Sequence, residues 1–555
     1  MNSGKKGLVI FTGQSGIKVE NCIRKLARTG LNYQLVSVDK AIPEISGSEF
    51  VEVLGTPPNI QNLLWTQAYE QIEDILQQDS TKHDFTFLTF HACYYHQKKT
   101  EFVCPANLNQ LMLLKDRAKL IIVLIDDCYD IYIRLMDKNQ MYEDVLNSGD
   151  SLNTLVESIY NITNLLTWRE TEIAFSRKIA QLLNIPMYVI SVNHPHFMIS
   201  RLISNPRESL KILYLSHPIS VIRRQAIFTR LSEFYSELSS FIKNVLQTDN
   251  VVLFVPDTID ECRIKQEKQG NNGSDLYLPE LTHGWPLTFS DQLLREPLPS
   301  KLESINALNP TKYKYSTATT DAKSAISASL RILDKKIRNQ INSRDLTLVE
   351  QSKDGVLVYR PYFAASTHSG VEEEMIYNCD LRDRYDERER KTYIITTKED
   401  LGKLRIQKLF TLIEDSVKLP DTANHKNIKD NLQALCKEWL SNPTKVLEFY
   451  SKNFSVDDTR EAIEKVLPAG YTFIKDVIDK KSSALATAKM LLKAEQKKRG
   501  WAEILTQVAE EDPLVKYSSE KDILLSSSDS YDKEVKTFIR EVIANKSAKD
   551  ESGGA

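Results

Sequence analysis

The stretch from Asp354 to Met375 reads DGVLVYRPYFAASTHSGVEEEM, a short apolar run, then a loop of small residues, then a cluster of carboxylates. Glu372, Glu373 and Glu374 follow Ser369 and Gly370, so the three acids enter a helix at its first turn. A carboxylate at that position, just beyond a strand end, can serve as a nucleophile or as an acid–base group on a bound small molecule. Three glutamates at a helix start also complement the helix dipole on a solvated face, and residue type alone does not choose between the two.

Two sets of elements must position these groups. Gly355 to Tyr359 has the length and β-branched content of a buried strand. Ser366, Thr367, Ser369 and Gly370 supply turn and N-cap chemistry, and Val371 to Met375 begins a helix. A crossing of this kind delivers side chains to the carboxyl edge of a parallel sheet, where open α/β folds bind ligands. Upstream, Lys211 to Ser220 (KILYLSHPIS) reads as a strand ending in a small polar loop. Arg223 and Arg224 enter a helix that runs to Val245, and Val251 to Pro256 (VVLFVP) is the next strand. That βαβ order implies a parallel sheet. Ser216, His217 and Ser220 stand where hydroxyls and backbone N–H groups would hold a sugar or phosphate, although His217 reads equally as a plain loop histidine.

Taken together, Asp354, the strand after it and HSGVEEEM resemble the nucleoside 2-deoxyribosyltransferase and deoxynucleotide N-glycosidase superfamily. The resemblance covers about residues 206–400 and implies a three-layer α/β domain that cleaves or transfers at an N-glycosidic bond of a nucleoside, nucleotide or NAD-like small molecule. By its register Glu374 would be the nucleophile on the anomeric carbon, with Glu372 or Glu373 in its place if the register slips. Asp354 would bind a sugar hydroxyl or orient the base. Ser216, His217, Ser220, Arg223, Arg224, Ser369 and Gly370 would contact substrate. No metal or other cofactor is required for such chemistry, because a carboxylate can trap the oxocarbenium-like centre directly. Relatives in that superfamily often complete the site with residues from a neighbouring subunit, and a homo-oligomer or a protein complex is expected to form through the helical C-terminal region.

The first 205 residues show a second pattern. GLVIFTGQSGIKVENCIRKLA is strand, glycine turn and helix, the order a phosphate-binding loop requires. Gly13, Gly16 and Lys18 are present, but the glycine–lysine pair is broken and Val19 stands where a Mg²⁺-binding hydroxyl belongs. Phe85 to His96, Leu120 to Asp137 and Glu170 to Ser191 resemble, in order, successive motifs of P-loop nucleoside-monophosphate kinases of the adenylate-kinase type. That likeness makes Arg134 a lid arginine and ATP or another nucleotide the ligand. The broken loop favours a nucleotide-binding or structural pseudokinase over an active kinase.

Composition bounds the remainder. A chain of 555 residues accommodates about three domains. With 72 basic and 75 acidic side chains and a net charge of -3, it lacks the basic surplus expected of a nucleic-acid binder. No apolar run approaches the roughly 20 residues of a membrane span. The seven cysteines are scattered and odd in number, and His194 and His196 alone make no metal motif, so a reducing cytoplasm is the expected home. The segment 261–323 reads as an insertion in which His283, Gly284 and Trp285 offer an aromatic for base stacking or for plugging the domain. Asp321 to Asn342 reads as one amphipathic helix with Ile326, Leu330, Ile332, Leu333 and Ile337 on its apolar face. Thr392 to Thr397 is read as the last strand, followed by an all-α region over 401–545 suited to oligomerisation or partner binding, and a frayed tail at 546–555.

The fold class expected is therefore α/β, with two three-layer parallel-sheet domains, P-loop-kinase-like and deoxyribosyltransferase-like, ahead of a helical region. A nucleotide-sensing module fused to a nucleotide-destroying one is similar to the architecture of bacterial anti-phage defence and toxin systems. The competing readings are a nucleotide kinase working through the first domain and a non-catalytic nucleotide-binding scaffold in a larger complex.

Overall fold

Apolar strands alternate with amphipathic helices along this chain, so parallel sheets covered on both faces are the expected product. The computed structural model describes residues 7–78, 83–96, 101–105, 108–137, 151–219, 228–248, 250–259, 263–267, 276–280, 320–361, 363, 369–385, 389–401, 404, 430, 434, 517–518, 522–526 and 531–543. The chain divides into two compact units, Met1–Leu215 with Ile227–Gly355, and Ser216–Ala226 with Val356–Ala555.

The elements run β1 (Gly7–Thr12), α1 (Val19–Leu26), β2 (Tyr33–Ser37), α2 (Val38–Ser46), α3 (Phe50–Leu54), α4 (Pro58–Gln78) and β3 (Phe85–Thr89). A short antiparallel hairpin, β4 (Tyr94–His96) and β5 (Glu101–Val103), follows, then α5 (Leu108–Leu113), β6 (Ala118–Ile125), α6 (Cys128–Asp137), α7 (Ser151–Leu183), β7 (Met187–Ser191) and α8 (His196–Ser204). The first sheet has the order β2-β3-β1-β6-β7, with every pair parallel. Its central strands are buried on both faces; all six residues of β1 are buried, which is why they read as an unbroken apolar run. After β3 the chain crosses β1 to reach β6, so the direction of winding reverses beside β1, and the carboxyl ends of β1, β3 and β6 frame the crevice where ligands of such sheets bind.

Next come β8 (Lys211–Ser216), α9 (Phe228–Leu246), β9 (Val251–Phe254), an antiparallel hairpin of β10 (Arg263–Glu267) and β11 (Leu276–Glu280), and α10 (Thr320–Gln351). They are followed by β12 (Gly355–Tyr359), α11 (Ser369–Arg384), β13 (Lys391–Thr397), β14 (Ile523–Ser526) and α12 (Tyr531–Phe538). The second parallel sheet has the order β14-β13-β12-β8-β9. By rank along the chain this is 2-1-3-4-5, a doubly wound order whose reversal lies at the first strand, β8.

Three expectations change. The amphipathic helix is longer than its periodicity suggested, because Ser343 to Gln351 continue it through Arg344 and Asp345 rather than breaking it. Ile326, Leu330, Leu333 and Ile337 are buried at helical spacing, whereas Ile332 falls off that face and is 61% exposed. Thr392 to Thr397 is not the last strand: β14 adds a parallel edge from a segment more than a hundred residues on, with Ile394 opposite Ile523. A four-residue strand of sequence ILLS is too short to announce itself by alternation. Most of 401–545 lies outside the described residues, so the all-α expectation is not decided there. No helix among the described residues is long and apolar enough to cross a membrane.

Candidate functional site

In the second unit the carboxyl end of β8 meets the first turn of α11. The Ser216 hydroxyl donates a hydrogen bond to Glu374 Oε2, and Ser216 is fully buried. Helical spacing decides which of the three glutamates points there. Glu373 is exposed, Glu372 lies within 3.5 Å of the Tyr517 hydroxyl, and Glu374 alone of the three meets β8. Val371, Met375 and Leu381 bury the inner face of α11. One turn beyond Glu374, the Asn378 side-chain amide donates to the Lys391 carbonyl and to Thr392 Oγ1, both at 3.1 Å, which fixes the rotation of α11 against β13.

The carboxyl end of β12 is held by a second device. Arg360 adopts φ +42°, unusual for a side chain with a Cβ, while its N–H donates to the Ile395 carbonyl at 2.7 Å. Its guanidinium binds Asp400 with both prongs, at 2.8 and 3.3 Å, and stacks over Phe363 at 4.7 Å. Asp400 is wholly buried, so this pair ties β12 to the segment after β13.

His217 follows Ser216 and is buried, while Ser369 and Gly370 are the first two residues of α11. Asp354 does not join them. It precedes β12, where its carboxylate accepts the Ile212 N–H at 2.7 Å and lies 3.5 Å from Lys211 Nζ, both at the start of β8. Asp354 and Arg360 therefore mark opposite ends of one five-residue strand, about 16 Å apart. A carboxylate at the amino end of a parallel strand pins the strand pair together and faces away from the ligand edge, so the structure gives Asp354 a fold-stabilising role. Ser220, Arg223, Arg224 and Trp285 lie outside the described residues.

The first unit gathers a denser polar cluster at its own carboxyl edge. The long helix α7 lies across it and presents Leu165, Trp168, Glu172 and Ser176 at spacings of three and four. Gln14 Nε2 donates to the Leu165 carbonyl at 3.3 Å, Trp168 Nε1 to the Cys93 carbonyl at 2.9 Å, and Thr12 and Ser176 share a hydroxyl–hydroxyl bond of 2.8 Å. Glu172 Oε1 accepts two backbone N–H groups, from Gly13 at 3.0 Å and from Ala92 at 2.9 Å. Burial raises the Glu172 carboxyl to about 7, against the opposing pull of His91 and of these amides. His91 Nδ1 is bonded to the Gly13 carbonyl and therefore carries its hydrogen there, which turns Nε2 toward Asp39, 3.7 Å away. Tyr94 donates to the same Asp39.

Of the residues expected to meet phosphate, Gly13 and Arg134 are both engaged within the protein. The Gly13 N–H that would receive a phosphate oxygen is taken by Glu172. Lys18 is exposed and precedes α1, where its carbonyl receives the Cys22 N–H. The Arg134 guanidinium turns inward to the Gly16 carbonyl at 3.0 Å and to Asp126 at 2.6 Å. Gly16 is required for its backbone, with φ +87° and Ile131 Cγ2 at 2.9 Å from where a Cβ would stand. Glu172 itself went unnoticed in the sequence because a glutamate inside a 33-residue helix carries no local signal.

His194 accepts the Val255 N–H at Nε2 (3.1 Å) and bonds Thr258 Oγ1 through Nδ1 (3.0 Å); burial drives it down to about 3, so it is a neutral structural group. Among the described residues no group of three or more His, Cys, Asp or Glu side chains could hold a metal ion. No protein-family model and no curated protein sequence matches the chain.

Proposed function

We propose that the second unit cleaves or transfers at the N-glycosidic bond of a nucleoside-type small molecule, with Glu374 as the nucleophile. The observation that carries this reading is the Ser216–Glu374 hydrogen bond at the carboxyl end of β8, the reversal point of a doubly wound parallel sheet. The Glu374 carboxylate attacks the anomeric carbon as the bond from that carbon to the base nitrogen breaks. The base leaves with the electron pair and takes up a proton, and the glycosyl ester is then resolved by water or by an acceptor base. Ser216 orients the carboxylate by donating to Oε2, a charge-assisted bond.

The kinase alternative finds less support, because the first unit's loop amide is already bonded to Glu172 and the Arg134 guanidinium is bonded to the Gly16 carbonyl and to Asp126. Incubation of wild type and Glu374→Gln with nucleosides, nucleotides and NAD, followed by mass detection of free base, tests the reading. Base released by wild type and not by the variant is expected. Equal release by both, or release by neither across the panel, rejects Glu374 as nucleophile for these substrates.

A further inference from the structure

The first unit holds a buried acid that the Glu374 chemistry does not use. Glu172 is 1% exposed and sits beneath the turns after β1 and β3, where backbone N–H groups at the carboxyl ends of parallel strands ordinarily meet a ligand oxygen. Its Oε1 accepts the Gly13 and Ala92 amides and the Cys93 amide also faces the carboxylate, whereas its Oε2 is buried and makes no hydrogen bond of good geometry. An ionised carboxylate so placed keeps half of its acceptor capacity unmet, which is costly away from water.

Several groups face it from the elements packed around it. From the β3 turn come His91, the Cys93 thiol and Tyr94, with Asp39 reached through His91. From the β1 side comes Thr12, bonded to Ser176 one turn along α7. Arg169, three residues before Glu172 on the same helix, reaches the Asp126 carbonyl at 2.6 Å.

We propose that the Gly13 and Ala92 amides form an oxyanion hole for an anionic small molecule, that Glu172 is its internal ligand, and that an external oxyanion displaces Glu172 when that residue carries a proton. While ionised, Glu172 holds the two amides by charge-assisted bonds and repels an incoming anion. Once protonated it loses both advantages, so one proton is taken up for each anion bound and no covalent bond changes. Phosphate esters and carboxylates present the same oxygen to such a hole. This inference is independent of the reading of Glu374.

Titration calorimetry on the full-length wild type and on Glu172→Gln, with sulfate, acetate and ADP at about pH 6 and about pH 8, tests it. Sulfate and acetate keep their charge across that window. Wild-type affinity is expected to rise about tenfold on acidification, whereas Glu172→Gln binds at least as tightly at both pH values with no such rise. Tighter binding of sulfate and ADP than of acetate assigns the hole to phosphate esters, and the reverse to carboxylates. The proposal is overturned if Glu172→Gln, folded by circular dichroism, binds none of the three, or if the two proteins share one affinity and one pH dependence. Should the variant not fold, the wild-type series decides: affinity that rises on acidification supports the proposal, and flat or absent binding overturns it.

Discussion

Each parallel sheet carries a glutamate at its carboxyl edge, and the two are held in opposite ways. Glu172 is buried and accepts backbone amides from two turns, and burial, working against those amides, drives its carboxyl up to about 7. Glu374 is half-exposed and bonded to a serine hydroxyl, a partner that orients a carboxylate without saturating it. The same residue type thus accepts main-chain amides at one carboxyl edge and a side-chain hydroxyl at the other. What differs is the donor. Main-chain N–H groups are fixed and cannot follow a reacting carboxylate, whereas a hydroxyl can rotate with it.

This comparison breaks most sharply at Glu374. Glu374→Gln is expected to lower base release by roughly a thousandfold or more while leaving the urea midpoint nearly unchanged, because the side chain is only half-buried. A loss of stability as large as the loss of activity would make Glu374 a second Glu172.

Within the second unit the structural acid is Asp400. Arg360→Ala strands that wholly buried carboxylate and is expected to cost about 3 to 5 kcal/mol in urea unfolding. A cost under about 1 kcal/mol would mean that Asp400 is solvated or neutral when Arg360 is absent.

Glu172→Ala leaves two buried amides without an acceptor and is expected to destabilise the first unit by about 2 to 4 kcal/mol, with Glu172→Gln well below that. Glu172 also ties stability to pH. Its native carboxyl is raised to about 7, so the folded chain holds a proton that the unfolded chain, titrating near 4.3, has released. The stabilisation is full below about pH 4.3, declines through the interval and is lost above about pH 7, by up to about 1.4 kcal/mol per pH unit. Denaturation of the Glu172→Gln variant should lack that slope, and its persistence would move the titration to Asp39 or Asp126, whose carboxyls burial also raises.

The smallest effect is expected at Ser216. Ser216→Ala removes one charge-assisted hydrogen bond and should slow base release by about tenfold to a hundredfold. An effect as large as that of Glu374→Gln would give Ser216 a part in the chemistry beyond orientation.

Much of this was legible in the residues themselves. The strands at Gly7, Phe85, Lys211, Val251 and Gly355 were readable because strands buried on both faces are near-continuous apolar runs, and the small polar loops that end β1 and β8 advertise turns. The nearness of Glu374 to a strand end followed from strand, loop and helix in succession. Asp354 looked no different from a ligand-edge acid, since a sequence shows which residue borders a strand but not which end of the sheet the ligand occupies. Which of three consecutive glutamates faces β8 was decided by the rotation of α11, which Asn378 sets through partners on β13.

Local patterning along the chain thus determined the long central strands, their parallel pairing and a carboxylate at a strand-to-helix crossing. Tertiary structure alone decided that Glu172, about 160 residues from Gly13, fills the first sheet's loop, and that a segment near residue 523 completes the second sheet. The physical reason is common to both. Periodicity and turn chemistry act over a few residues, whereas the partner of a buried N–H or an unpaired strand edge is whichever group the fold brings within hydrogen-bond reach, at any distance along the chain.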